Sequence, residues 1–322
     1  MPPMPVHAVD KPIGPTSHDL VARARKLLGT RRVGHAGTLD PLASGVLLLL
    51  SEDATKLSPW LTGSDKRYLA WVAFGADTPT WDAEGPIGRR GDPSDLTEVG
   101  VASEAARFLT VRAQVPPRFS AVKRGGEASY RAARRADPAA RAEELPERPA
   151  AYRRVRLLAF GARDALPDRF GPGADDGGWQ PRDDGRVFEL PPPLAELPVA
   201  LFALEVAAGT YVRAFARDLG VALGVPAHLA GLVRTHAGGI DLARTVPPDR
   251  LAEAPGVPEA EALPLEIRTL DPAQARRVRS GQRLPASELP GDGTVGLVDE
   301  AGRMVAVAEL SPRGMRLLRV WS

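Results

Sequence analysis

The chain has 322 residues, 43% hydrophobic and 25% charged, with a net charge of +2, so it can bury a sizeable core and form one large domain with a smaller one. It has no cysteine, which excludes disulfides, thiolate zinc sites and cysteine nucleophiles. Its apolar runs, Val46 to Leu50 among them, fall far short of the roughly 20 residues of a membrane span, and the proline-studded start lacks a signal peptide's apolar centre, so a soluble, cytoplasmic protein is expected.

Ser17 is placed to cap a helix with Leu20, Val21, Ala24, Leu27 and Leu28 on one face, and Gly29 supplies its stop. Three glycines and a proline without periodicity make "TRRVGHAGTLDPLASG" a loop, and "VLLLL" then reads as a strand covered on both faces. A short helix around Lys56 precedes "KRYLAWVAFG", a strand by its aromatic and β-branched content, and then the loop "GADTPTWDAEG". From Pro117 to Pro149 the alanine-arginine stretches are helical in character but have little apolar face, which predicts an exposed excursion.

Between Pro117 and Arg156 there are 11 basic and 5 acidic residues, leaving that segment +6 and the remainder −4. That surplus either docks something anionic or is a solvated, arginine-rich face. Arg163 to Arg186 has the glycine, proline and aspartate content of a flexible surface loop. "LPVALFALEVAAG" reads as a strand, a helix follows from Tyr211, and a further helix is expected through "AHLAGLVRT". Proline, alanine and glutamate repeat from Pro247 to Pro264, so 251–264 is expected to be a linker, and 265–322 a small all-β unit turning at Gly302.

Asp40 stands before Pro41, whose ring pushes it out of the α conformation. The dipeptide either makes a plain turn or throws a carboxylate off the loop. Arg213 falls in the first turn of its helix, where the macrodipole disfavours a cation by a few tenths of a kcal/mol or more. It is either an ordinary surface arginine or the partner of a carboxylate brought from elsewhere. Tyr68 and Tyr211 sit near element ends beside charge, as half-buried core or as flat faces for a base. The five histidines lack zinc-motif spacing, so no metal site is expected, and His35 alone reads as a loop histidine bonded to backbone. Only five of the 42 basic residues are lysines, Lys11, Lys26, Lys56, Lys66 and Lys123, which makes each one notable.

Taken in order, "DKPIGPTSHDLV", "GHAGTLDPLASGVLLL", "EDATKLS", "SDKRYLAWVAFGADTPTWDAEG", "PPRFSAVK", "GTYVRAFARDLG" and "AHLAGLVRT" resemble the TruB family of tRNA pseudouridine synthases over most of residues 8 to 240. The resemblance implies an α+β catalytic domain, 1–250, with a mixed, mainly antiparallel sheet flanked by helices. It implies a thumb at 117–149 that grips the TΨC stem-loop of tRNA, and, on weaker motifs, a PUA-like β-barrel at 265–322. By the same resemblance Asp40 is the catalytic carboxylate, Tyr68 packs on the target base, and Arg213 pairs with Asp40. Tyr211, Leu232 and Asp82 line the uracil pocket, His35 fills the stack left by the flipped base, and Lys11 and Lys66, lying within the family blocks, are assigned to the substrate. No cofactor is required, because uridine and pseudouridine are isomers. The chain is expected to act as a monomer.

Two other functions compete. An RNA-binding or tRNA-folding factor would keep the grip without the chemistry, and a glycosidase would use Asp40 and Asp82 as paired carboxylates.

Overall fold

The computed structural model describes residues 5–118, 123–124, 127–128, 145–173 and 178–321. Most of the expected thumb lies outside them. In chain order the first strands are β1 (Val6–Lys11), β2 (Val33–Ala36), β3 (Ala43–Ser51) and β4 (Lys66–Phe74). Four two-residue strands follow, β5 (Ala113–Gln114), β6 (Lys123–Arg124), β7 (Glu127–Ala128) and β8 (Arg148–Pro149), paired as β5 with β8 and β6 with β7. Then come β9 (Tyr152–Ala162), β10 (Arg169–Pro172), β11 (Trp179–Pro181), β12 (Arg186–Val187), β13 (Pro198–Val206), β14 (Ala227–Ala237) and β15 (Ile240–Asp241). The last four are β16 (Glu266–Thr269), β17 (Gly293–Val298), β18 (Met304–Ser311) and β19 (Gly314–Val320). Among the described residues the helices are α1 (Ser17–Leu27), α2 (Ser58–Thr62), α3 (Glu98–Ala106), α4 (Val212–Ala222), α5 (Glu259–Ala262) and α6 (Pro272–Arg279).

The main sheet runs β1-β3-β14-β4-β13-β9, with β2 added on β3 and β15 on β14. Only β3 and β14 pair in parallel; the other neighbours are antiparallel, as expected for a mixed, mainly antiparallel sheet. All nine residues of β3 are buried, which is why its apolar run does not alternate. One face of the sheet packs against α1, α3 and α4 through Leu20, Val101, Phe215 and Leu219. The other is covered by α2, the β10–β12 insertion and part of the C-terminal sheet, through Leu61, Phe170, Trp179 and Trp321.

Several expectations change. "AHLAGLVRT" is not a helix but the strand β14, bonded on both sides by β3 and β4. Its apolar residues occur close enough together to fit either period, and the two neighbours decide the matter. Residues 163–186, expected to be a flexible loop, form the three-stranded sheet β11-β10-β12 among the described residues. The apolar minority in that polar segment, Phe170 and Trp179, packs with Phe188 and Trp71 against the main sheet. Trp179 Nε1 also donates to Asp241 at 3.1 Å. The presumed linker 251–264 lies on the molecule: Val257 exchanges backbone hydrogen bonds with Val6, and Leu251, Ala262 and Leu263 are buried. The C-terminal sheet is open, in the order β16-β17-β18-β19, rather than a closed barrel, with α6 packed beside it. Finally, Thr16 rather than Ser17 caps α1, in a reciprocal box with Asp19.

Candidate active site

Asp40 lies in the loop 37–42 between β2 and β3, above the face of the sheet that presents Tyr68 and Leu232. Leu232 is in register with Ala43 on β3 and Ala70 on β4, directly under the end of that loop. Two glycines shape the loop. Gly37 has φ +88°, and Gly45 has φ +98° at a point where a Cβ would lie 2.2 Å from the carbonyl oxygen of Arg234. Only glycine lets β3 approach β14 that closely.

The loop backbone is fixed along its length. Ser17 Oγ donates to the Leu39 carbonyl at 3.1 Å and accepts from the Leu39 amide at 2.9 Å. Pro41 O accepts from the Gly14 amide at 2.8 Å. Arg234, almost wholly buried, donates to the carbonyls of Val46, Gly37 and Thr38 at 2.7, 3.0 and 3.4 Å. Lys11, with no exposed surface, donates to Ala43 O, Pro12 O and Pro41 O at 2.7, 2.9 and 3.4 Å. Burial pushes its ammonium down to about 8, against the pull of Asp40 and Glu84. Sequence reasoning placed Lys11 and Lys66 at the substrate, but both are buried on backbone carbonyls. Lys66 donates to those of Leu61, Thr62 and Ser64, and it too is pushed down to about 8 by burial. Ser17 and Arg234 were missed as loop anchors, because a contact to a carbonyl oxygen leaves no signature in residue spacing.

Arg213 reaches the loop from the first turn of α4. Its Nε lies 3.0 Å from Asp40 Oδ2 and its Nη1 3.4 Å from Asp82 Oδ2, while Nη1 also donates to Thr80 O at 3.2 Å. Two carboxylates therefore offset a cation that the helix dipole would disfavour. Asp82 is held by the Thr80 hydroxyl at 2.6 Å and the Glu84 amide at 3.1 Å. Burial pushes its carboxyl up, and Arg213 draws it back. The side chains of Arg213 and Asp82 are 5% and 2% exposed, against 34% for Asp40, so Asp40 is the open end of the chain. Glu84, which sequence reasoning did not single out, reaches the surface nearby, its carboxyl pushed up by partial loss of solvent and by Asp82 and Asp40.

Tyr211 is the half-buried N-cap residue of α4, two residues from Arg213. His35 lies on β2 with its ring 5.4 Å from His18, edge to face. Burial, with His18 and Arg234 nearby, pushes its imidazole down to about 4. The structure thus brings Asp40, Arg213, Asp82, Tyr68 and Leu232 to one face from five separate stretches of chain. Among the described residues there is no cluster of metal-ligating side chains. No helix there is long and apolar enough to cross a membrane.

The profile of a family described as TruB family pseudouridylate synthase (N terminal domain) matches residues 25–166. A tRNA pseudouridine synthase B of Thermus thermophilus is 47% identical over 320 residues, covering 99% of each chain. The chain belongs to the TruB family. A second relative of the same name, from Deinococcus deserti, is 44% identical and covers 99% of this chain and 100% of its own. The fold of this TruB family member is shared with an H/ACA RNP bound to a substrate RNA containing 2'-deoxyuridine (TM-score 0.67, 20% identity, 99% and 85% coverage). It is also shared with a Cbf5-Nop10-Gar1 complex (TM-score 0.66, 21% identity, 98% and 84% coverage). As a pseudouridine synthase the protein is an isomerase.

Proposed function

We propose that the protein converts a uridine of tRNA to pseudouridine, at position 55 in the TΨC loop, with Asp40 as the catalytic carboxylate. The names of its relatives support tRNA as the substrate class. The observation that carries the reading is the Asp40–Arg213–Asp82 chain, assembled from three distant segments and open to solvent at Asp40. Burial of Asp82 against Arg213 also removes the glycosidase alternative, which needs two carboxylates flanking a sugar.

The reaction breaks the bond from ribose C1′ to N1, turns the uracil, and joins C5 to C1′; the proton leaves C5 and N1 gains one, so nothing is consumed. Arg213 fixes Asp40 at the reacting ribose and base. Tyr68 and Leu232 give the uracil an apolar, flat surface to turn on, and Tyr211 borders it. The target must leave the stack at a cost of a few kcal/mol. A histidine kept neutral by burial, His35, suits the gap that the base leaves. The basic segment 117–149 holds the stem-loop through its phosphates, and 265–322 serves as a PUA-like RNA-binding unit.

Unmodified tRNA incubated with the wild type and with Asp40→Asn tests this. Pseudouridine at position 55 is expected from the wild type alone, with RNA affinity changed less than about tenfold by the substitution. Binding without product in both proteins would establish an RNA-binding factor instead.

A further inference from the structure

Trp81 is out of place for a tryptophan. Its φ is +62°, a left-handed conformation that bulky side chains rarely adopt. The turn is held there from both sides: Trp81 N donates to Thr78 O at 3.1 Å, and Trp81 O accepts from Leu229 N at 2.9 Å. The indole is half-buried yet belongs to none of the hydrophobic clusters among the described residues. Instead the Arg217 guanidinium lies 4.0 Å from its ring centroid.

Arg217 follows Arg213 by one turn of α4, so the two arginines face the same loop: Arg213 holds Thr80 and Asp82, and Arg217 covers the residue between them. Asp218 already offsets the charge of Arg217, taking Nε at 2.6 Å. Arg217 Nη1 lies 3.5 Å from Val115 O, where the chain leaves for the basic segment. The pair therefore sits between the catalytic carboxylate chain and the root of the region assigned to gripping RNA.

We propose that Trp81 and Arg217 form a stacking subsite for a second base of the substrate RNA, a neighbour of the one that reacts. The proposal rests on the RNA substrate of the previous section. An indole backed by a guanidinium offers a rigid flat face with a nearby cation, which is what a splayed nucleobase and its phosphate require. The left-handed backbone at Trp81 sets a half-buried indole next to Asp82, outside the hydrophobic clusters of the described residues.

The test is an affinity cycle with synthetic TΨC stem-loops carrying a single abasic site at each loop position in turn. Trp81→Ala is expected to weaken binding of the intact RNA roughly tenfold, and Trp81→Phe to recover most of the loss. One abasic position other than the target should cost the wild type a similar factor and cost Trp81→Ala nothing more. Trp81→Gly, which suits the left-handed backbone, separates folding from binding: it should keep the melting temperature and still lose affinity. Intact-RNA affinity unchanged in Trp81→Ala and Trp81→Gly, or abasic losses equal in wild type and variant at every position, would overturn the subsite. Absence of pseudouridine from the wild type would instead refute the parent reading and leave the binding cycle interpretable.

Discussion

Arg213 is one guanidinium serving two carboxylates through different nitrogens, Nε for Asp40 and Nη1 for Asp82. A lysine has a single charged nitrogen and cannot span both. Arg213→Lys is therefore expected to lower single-turnover pseudouridine formation by about a hundredfold or more, with RNA affinity reduced much less. Equal losses in rate and affinity would show that Arg213 acts on binding. The pairing was partly legible in the sequence, because a cation in a first helical turn runs against its local preference. The scarcity of lysine drew attention to Lys11 and Lys66 as substrate contacts, but each ammonium gathers three carbonyl oxygens in the interior, and composition cannot tell that from a phosphate contact.

At the scale of elements, the loop bearing Asp40 is set by what lies beneath it. Gly45 passes so close to Arg234 that an added Cβ meets backbone, not a flexible side chain. Gly45→Ala is thus expected to destabilise by about 2 kcal/mol or more, through strain at positive φ and separation of β3 from β14; thermal or urea unfolding measures it. The buried lysines add a pH dependence. Their folded values, about 8, lie below the ordinary lysine value of 10.5. Between those limits the unfolded chain holds protons that the folded one has lost, so stability rises with pH across that window. Each lysine contributes up to about 1.4 kcal/mol per pH unit. Urea midpoints at pH 8 and pH 10 should show the rise, and Lys66→Met should reduce it. The strand β14 was the element least legible in the sequence: its fate depends on β3 and β4, which are far away in the chain, whereas α1 and β3 declare themselves through a local cap and an unbroken apolar run.

For the whole molecule, the attachment of its parts decides which of them can be removed. The C-terminal sheet shares a hydrophobic cluster with the main one, Val298, Met304, Val307 and Trp321 packing with the group that holds Val6, Leu48 and Leu57. Cutting at residue 264 would bare that surface, so the truncated chain is expected to lose stability and solubility. The basic segment is joined differently. Its two ends meet in the pairing of Ala113 with Pro149 and Gln114 with Arg148, so a short link can close the chain where the segment is excised. Replacing 117–147 by a few glycines and serines is expected to leave the melting temperature nearly unchanged and to weaken RNA binding. Each phosphate contact removed should also flatten the slope of log affinity against log salt by roughly 0.7. Filter binding at several salt concentrations measures both quantities. A parallel shift with the slope intact would mean that the segment grips RNA by shape rather than by charge.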